Sequence, residues 1–257
     1  MICPTCGGKG VVRIHRCPKC KGTGVIKWVR EVIKSGSPCV VIPAHNEADN
    51  IGQVIDQVKA LGIVSVVVVD DDSNDATIDV AREHGADVYR NGPGAEYGDG
   101  FLTGLLVATH YTADPIIFLD AGLSYQPKDI DKLLSVKADV VIGSRIIKGA
   151  TYNGSRYRKL LTHVAIWTFA IVRRKKIMDY SGFRLFRLSA TRALPWKSLY
   201  KADKKAHTFN LRVVALLQDS HLNITQVPVN YVVTNSTLNW RRTLSAACEL
   251  FHIWRQQ

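Results

Sequence analysis

Apolar residues along this chain fall into short continuous runs separated by helix-spaced segments. Val40-Val41-Ile42 and Val66-Val67-Val68-Val69 are β-branched runs that stop abruptly at polar residues. Continuous runs of this kind read as strands buried on both faces, as in a parallel sheet. Between them, Ile51, Val54, Ile55 and Val58 recur at helical spacing within Glu47 to Leu61. The alternation continues. The pattern predicts a strand over 64–69, a helix over 76–84 closed by Gly85, and a strand over 87–90. A glycine-rich loop opens at Asn91, a helix follows from about Asp99 to His110, and strands come over 115–120 and 139–143. Residues 144–176 read as a mainly helical excursion. A strand resumes over 183–187, a helix covers 210–218, and a strand covers 223–233. Alternating elements of this kind predict an α/β fold with a right-handed, mostly parallel sheet.

In open α/β sheets ligands bind beyond the carboxyl ends of the strands. The first two runs therefore deliver Pro43 to Glu47 and Asp70-Asp71-Asp72 to one edge. Three consecutive carboxylates repel one another unless donors or a cation compensate them. Taken alone, such a turn is commonly a solvated helix cap, with Asp72 or Ser73 as the N-cap. Its pairing with the first motif favours a ligand site.

The N-terminal 35 residues have a different grammar. Cys3-Pro4-Thr5-Cys6-Gly7-Gly8-Lys9-Gly10 and Cys17-Pro18-Lys19-Cys20-Lys21-Gly22-Thr23-Gly24 repeat one C-x-x-C-x-G-x-G unit. Two C-x-x-C turns complete a tetrahedral site, so Cys3, Cys6, Cys17 and Cys20 are expected to hold one structural Zn²⁺. Redox pairs or disulfides are the competing chemistry. A module of 1–35 has little core of its own, and zinc would supply the missing stability. It resembles the cysteine-rich repeats of the J-domain co-chaperones, reduced to one zinc centre. Cys39 and Cys248 read as solitary buried thiols, and the cysteine usage as a whole points to a reducing compartment.

The 257 residues carry a formal net charge of +12 and are 46% hydrophobic. Basic clusters lie in the N-terminal module, at Arg156-Arg158-Lys159, at Arg173-Arg174-Lys175-Lys176 and at Arg241-Arg242. Such a balance favours a polyanionic partner: nucleic acid, an anionic membrane surface or a phosphorylated substrate. The apolar stretch 160–172 is shorter than the ~20 residues of a membrane span. The N-terminus lacks a basic-then-apolar segment, so the expected location is the cytoplasm, or the host cytoplasm for a viral protein.

Four segments carry a resemblance. Val41-Ile42-Pro43-Ala44-His45-Asn46-Glu47, Val69-Asp70-Asp71-Asp72-Ser73, Ile117-Phe118-Leu119-Asp120-Ala121-Gly122 and Asp179-Tyr180-Ser181-Gly182-Phe183-Arg184 resemble, in order, the motifs of the family 2 glycosyltransferases with the GT-A fold. The fourth is most similar to the polyprenyl-phosphate sugar synthases. The resemblance spans roughly 38–235 and leaves 236–257 as a C-terminal amphipathic helix. Leu244, Ala247, Cys248, Phe251 and Trp254 line one face of that helix, which suits docking on its own core or a homodimer contact.

The resemblance implies an inverting enzyme using a nucleotide sugar, UDP- or GDP-linked. Pro43, Ala44 and Glu47 would line the nucleotide, and Asp71 or Asp72 would accept from base or ribose. Asp120 would ligate Mg²⁺ or Mn²⁺ at the diphosphate. Gly122 replaces the second aspartate of the usual Asp-x-Asp, which depletes that site. Asp179 would be the base or acceptor-orienting carboxylate, although its spacing to Gly182 is a residue shorter than the family pattern. Arg184 would contact the diphosphate or an anionic acceptor.

Two acceptors compete. The zinc ribbon, the charge and Trp28 favour a hydroxymethylated pyrimidine in DNA, as in some viral relatives. The alternative is a polyprenyl phosphate at a membrane surface, reached by peripheral contact. A degenerate, purely binding domain is disfavoured by the retained carboxylates.

Overall fold

The computed structural model describes residues 33–233. The zinc-ribbon expectation at Cys3, Cys6, Cys17 and Cys20 and the C-terminal helix expectation at 236–257 both fall outside the described residues. The described residues form an α/β domain built on a seven-stranded sheet of order β3-β2-β1-β4-β7-β5-β8. Its first half alternates strand and helix: β1 (Cys39–Ala44), α1 (Ala48–Ala60), β2 (Ser65–Asp70), α2 (Thr77–Glu83), β3 (Asp87–Arg90), α3 (Tyr97–His110) and β4 (Ile116–Phe118). The second half is α4 (Ile130–Leu134), β5 (Val140–Ser144), β6 (Thr151–Asn153), α5 (Arg156–Arg173), β7 (Arg184–Phe186), α6 (Leu188–Ala193), α7 (Trp196–Lys201), α8 (Ala206–Gln218), β8 (Ile224–Pro228) and β9 (Asn230–Val232).

The β-branched runs are buried on both faces, which is why they lack alternation. Val41, Val67, Val69, Phe118, Ile142 and Phe186 face a core shared with α3 and α8. Val40, Ile42, Val66, Val68, Ile117, Val141 and Leu185 face the core beneath α1 and α4. Phe101 of α3 stacks on Phe118, with centroids 4.1 Å apart, and ties the helix layer to the sheet centre.

β1, β2, β3 and β4 are mutually parallel, whereas β7 runs antiparallel to both β4 and β5. This reversal matters for the site. The residues before β7 arrive at the same edge where β4 and β5 end. Arg184, first in β7, pairs with Phe118 and Ile142.

Boundaries differ from the sequence pattern in a few places. α3 begins at Tyr97 rather than near Asp99, because the Glu96 amide donates to Asp99 Oδ2 at 3.2 Å and starts the helix two residues earlier. The strand predicted over 223–233 is two strands in different sheets, β8 and β9. At the first residue of β9 the Asn230 amide donates to Asp129 Oδ2 at 2.6 Å instead of to a neighbouring strand. β9 pairs instead with β6, in a two-stranded ribbon. Short helices α4, α6 and α7 had no periodic signal, being five or six residues long. Cys39 is buried as expected, and burial pushes its thiol up to about 12.

Candidate active site

Three strand ends and the approach to β7 converge on one edge of the sheet. Ala44 ends β1 opposite Asp70 at the end of β2, and the Asp71 amide donates to the Ala44 carbonyl at 2.8 Å. The Leu119 amide donates to the Val41 carbonyl at 3.0 Å, which sets Asp120 one residue further, beside Pro43. Arg145 follows the last residue of β5.

The three aspartates after β2 diverge in role. Asp70 is fully buried, and its Oδ2 accepts from the Ser73 amide at 3.2 Å, closing the turn. Asp72 adopts a left-handed conformation (φ 65°) and turns outward. It accepts from Arg90 Nη2 at 3.3 Å and from the Gly94 amide at 3.2 Å, so it anchors the 90–94 loop. Asp71 turns inward, 3% exposed and packed against Gly100 of α3. Its Oδ1 accepts from Asn91 Nδ2 at 2.7 Å, and Thr103 Oγ1 donates to Asn91 Oδ1 at 2.8 Å. That relay orients the carboxylate. Burial, with the charges of Asp99 and Asp70, raises its pKa to about 7 despite the Asn91 donor.

Gly100 makes room for Asp71. A Cβ there would lie 3.0 Å from Asp71 Cγ and closer still to Oδ2. Gly182 does the same on the other wall, where a Cβ would lie 2.9 Å from the Tyr97 hydroxyl and 3.2 Å from Asp120 Oδ1. The two glycines therefore bring Asp71, Tyr97 and Asp120 close to backbone.

Asp120 is raised to about 6, first by burial and then by the Glu47 charge, with Arg145 and Arg184 opposing. Glu47 stands at the N-cap of α1. Its amide donates to Thr77 Oγ1 at 2.8 Å, and its Oε2 accepts from Asn50 Nδ2 at 3.0 Å. The position vacated by Gly122 is not open. A Cβ there would meet Glu47 Oε1 at 3.3 Å and Oε2 at 3.6 Å. Hard oxygen donors from two carboxylates thus face the region where a divalent cation would sit, and the donor set suits Mg²⁺ or Mn²⁺. Among the described residues no group of three or more His, Cys, Asp or Glu side chains is placed to hold a metal ion, so diphosphate and water would complete the shell.

Asp179 is fully buried and reaches the site, but its oxygens are engaged. Arg145 donates to it from the backbone amide at 2.7 Å, from Nε at 3.0 Å and from Nη2 at 2.6 Å. The guanidinium also lies over the rings of Tyr180 and Tyr231, 5.7 and 5.2 Å from their centroids. Its side chain keeps 12% exposure, so this buried pair has one accessible face, and that face is cationic.

Arg184 is fully buried and donates to the Asn210 carbonyl at 3.3 Å. Its Nε and Nη1 have no hydrogen-bond partner. A side chain with no exposure cannot touch diphosphate in this conformation. What Arg184 contributes here is a buried positive charge that opposes the burial-driven rise in the Asp120 and Tyr97 pKa values.

Pro43, Ala44, Glu47, Asp71 and Asp120 are thus brought together as the motifs implied, while Asp72 and Arg184 are turned to structural contacts. Arg145, Asn91 and Tyr97 were missed from sequence. Gly143-Ser144-Arg145 does carry the signal that revealed Asp70, an apolar run ending in a polar residue at the carboxyl edge. Nothing local marks Asn91 or Tyr97.

Helix α5 lies beyond this wall. Tyr157, Leu160, Val164, Trp167 and Ile171 form a heptad-spaced apolar stripe, each 51–70% exposed. Its first turn holds Arg156, Arg158 and Lys159 and no acidic residue, which opposes the helix dipole. Among the described residues no helix is long and apolar enough to cross a membrane.

Comparison with known proteins places this architecture. The model of glycosyl transferase family 2 matches residues 39–198. The uncharacterized protein MJ1222 of Methanocaldococcus jannaschii is 36% identical over 112 residues, 42% of this chain and 46% of that protein. Glycosyltransferase AglJ of Haloferax volcanii is 28% identical over 152 residues, 58% of this chain and 49% of that protein. The chain thus spans about half the length of the curated relatives it matches. Among solved structures, glucosyl-3-phosphoglycerate synthase from Mycobacterium tuberculosis, in complex with Mn²⁺, UDP-glucose and phosphoglyceric acid, superposes with a TM-score of 0.67 at 18% identity. That alignment covers 85% of this chain and 80% of the other. The same enzyme with Mg²⁺ and UDP gives 0.64 at 17% identity, covering 85% and 78%. The fold is GT-A, an α/β domain with a mostly parallel central sheet flanked by helices.

Proposed function

The chain belongs to glycosyl transferase family 2, and we propose that it moves a sugar from a nucleotide sugar to a phosphorylated lipid of the polyprenyl-phosphate class. The donor half follows from the cleft. Asp71 accepts from the nucleobase, Pro43 and Ala44 line the nucleotide, and Asp120 faces the diphosphate. The solved neighbours carry Mn²⁺ or Mg²⁺ together with UDP. A divalent ion held at Asp120 would neutralise the departing diphosphate. Asp120 must be ionised to hold it, and the charges of Arg145 and Arg184 favour that state.

The acceptor half is carried by one observation, the Arg145–Asp179 fork. A hydroxyl acceptor needs a base as it attacks, whereas a phosphate is already anionic. Asp179 is the carboxylate that could serve, and Arg145 occupies both its oxygens. What the acceptor side presents is a rigid cation flanked by Tyr180 and Tyr231. That suits a phosphate better than a neutral hydroxyl. Asp179 then positions Arg145 instead of taking a proton. The α5 stripe, with basic residues at both ends, suits contact with an anionic bilayer from which a lipid phosphate would be drawn.

This preference displaces the hydroxymethylated DNA base, whose support lay in the zinc ribbon and overall charge. The test incubates the full chain with a panel of UDP- and GDP-sugars and three acceptors: polyprenyl phosphate in vesicles, a small soluble phosphorylated acid, and hydroxymethylated DNA. Transfer to the lipid is expected. Transfer to DNA or to the soluble acid with none to the lipid overturns the acceptor assignment.

A further inference from the structure

We propose that Glu47 supplies the second carboxylate of the cation site, from the N-cap of α1, in place of the side chain absent at Gly122. The inference rests on the nucleotide-sugar reading, since the cation would be shared with a diphosphate. Three geometric facts lead to it. First, the space into which a side chain at position 122 would project is taken by Glu47, with Oε1 3.3 Å and Oε2 3.6 Å from a Cβ built there. An aspartate at 122 and Glu47 in its present rotamer would compete for one location. Glycine is the residue that lets the remote carboxylate in.

Second, Glu47 is held for the purpose. Asn50 Nδ2 donates to Oε2 at 3.0 Å, while Oε1 is the oxygen nearer Gly122. The Glu47 amide is fixed by Thr77 Oγ1 at 2.8 Å, so the α1 N-cap is tied to the start of α2. Third, Gly122 stands two residues after Asp120 at the end of β4, so a carboxylate packed against Gly122 lies at the same strand end as Asp120. Like charges gathered at a cleft edge are unfavourable without a cation. A divalent ion takes carboxylate oxygens readily and leaves its remaining positions to phosphate and water. Carboxylates need not come from adjacent sequence positions. What matters is where their oxygens converge, and α1 and the β4 end converge here.

The test measures Mn²⁺ binding by electron paramagnetic resonance and UDP or GDP binding by calorimetry, with and without Mn²⁺. It compares the wild-type chain, Glu47→Gln, and the double variant Glu47→Ala/Gly122→Asp, in which alanine vacates the space the new aspartate needs, all matched for fold by circular dichroism. Glutamine keeps an oxygen for Asn50 and removes the charge. The gain in nucleotide affinity on adding Mn²⁺ should shrink at least tenfold in Glu47→Gln and return in the double variant, where the carboxylate comes from position 122. A Glu47 that merely lines the ribose would lower nucleotide affinity equally with and without Mn²⁺, and Gly122→Asp would not restore it; that result overturns the proposal. So does a wild-type chain that binds UDP or GDP with no gain from Mn²⁺, which leaves the nucleotide-sugar reading standing. A wild-type chain that binds neither nucleotide refutes that reading itself, and this inference with it.

Discussion

Replacing Gly100 by alanine should uncouple nucleotide binding from stability. The new methyl would sit 3.0 Å from Asp71 Cγ, where ordinary carbon contacts run at about 3.5–4.0 Å. Asp71 would have to move by several tenths of an ångström or more. It cannot swing freely, because its amide donates to the Ala44 carbonyl at 2.8 Å and its Oδ1 accepts from Asn91 at 2.7 Å. Crowding of this sort costs about 1–3 kcal/mol. Gly100 is interior to α3, so alanine recovers ~1 kcal/mol of helix propensity. The net effect on folding is therefore small, about 0–2 kcal/mol of destabilisation. Binding fares worse. A displaced Asp71 loses a hydrogen bond of the charged kind, about 1.5–3 kcal/mol, which is roughly ten- to hundredfold in affinity. Calorimetry with UDP and GDP reads the second number and thermal melting the first. Gly104→Ala is the control. Gly104 lies on the same helix but packs against Val41 of β1 in the core, so the change should lower stability while sparing affinity. If Gly100→Ala binds nucleotide within twofold of wild type, Asp71 is not the base-reading carboxylate.

Asp71, raised to about 7, should also make nucleotide binding depend on pH. Only the ionised form accepts from a base N–H, so affinity should rise roughly thirtyfold from pH 5.5 to 8 and be flat in Asp71→Asn. Stability should run the other way. A folded pKa above the unfolded value means this contribution is full below about pH 4 and lost as pH rises through about 7, which a melting series on both proteins would read. Asp179→Ala leaves Arg145 as a buried unpaired cation and should cost about 3–5 kcal/mol in denaturant melts, whereas Arg145→Ala/Asp179→Ala should recover much of it. Leu160→Glu or Trp167→Glu should abolish flotation with anionic vesicles and reduce transfer to lipid phosphate while leaving UDP affinity intact; retained flotation would remove α5 from membrane contact. Elemental analysis of freshly purified full chain should find one zinc, absent when Cys3 and Cys6 are both changed to serine.

The first half of the fold was readable because its strands are buried on both faces and end abruptly. Valine runs of that length bounded by polar residues read as buried strands; β2 and β3 fall within a residue of where the pattern put them, and β1 extends the Val40–Ile42 run by one residue before it and two after. The second half was less readable, for a physical reason. β7 is three residues long and β6 and β9 are three each, so periodicity has almost nothing to act on. What defines them is pairing with distant partners, such as Thr151 with Asn230. The break between β8 and β9 depends on Asp129, some hundred residues away in sequence.

The site shows the same division more sharply. The carboxylates after β2 and β4 were legible as groups, Asp70 to Asp72 and Asp120, because the apolar runs before them end abruptly at one edge of the sheet. Their neighbours were not. Asp70, Asp71 and Asp72 are chemically identical in the sequence, and only Asn91, Arg90 and the Ala44 carbonyl decide which one faces the cleft. Asp179 looked like a base because nothing in its own motif announces Arg145, thirty-four positions earlier. Gly122 looked like a deficit because nothing nearby announces Glu47. A motif lists which groups a site possesses. The antiparallel entry of β7, which brings 179–182 to the edge where β4 and β5 end, determines which of those groups cancel one another and which are left to meet a ligand.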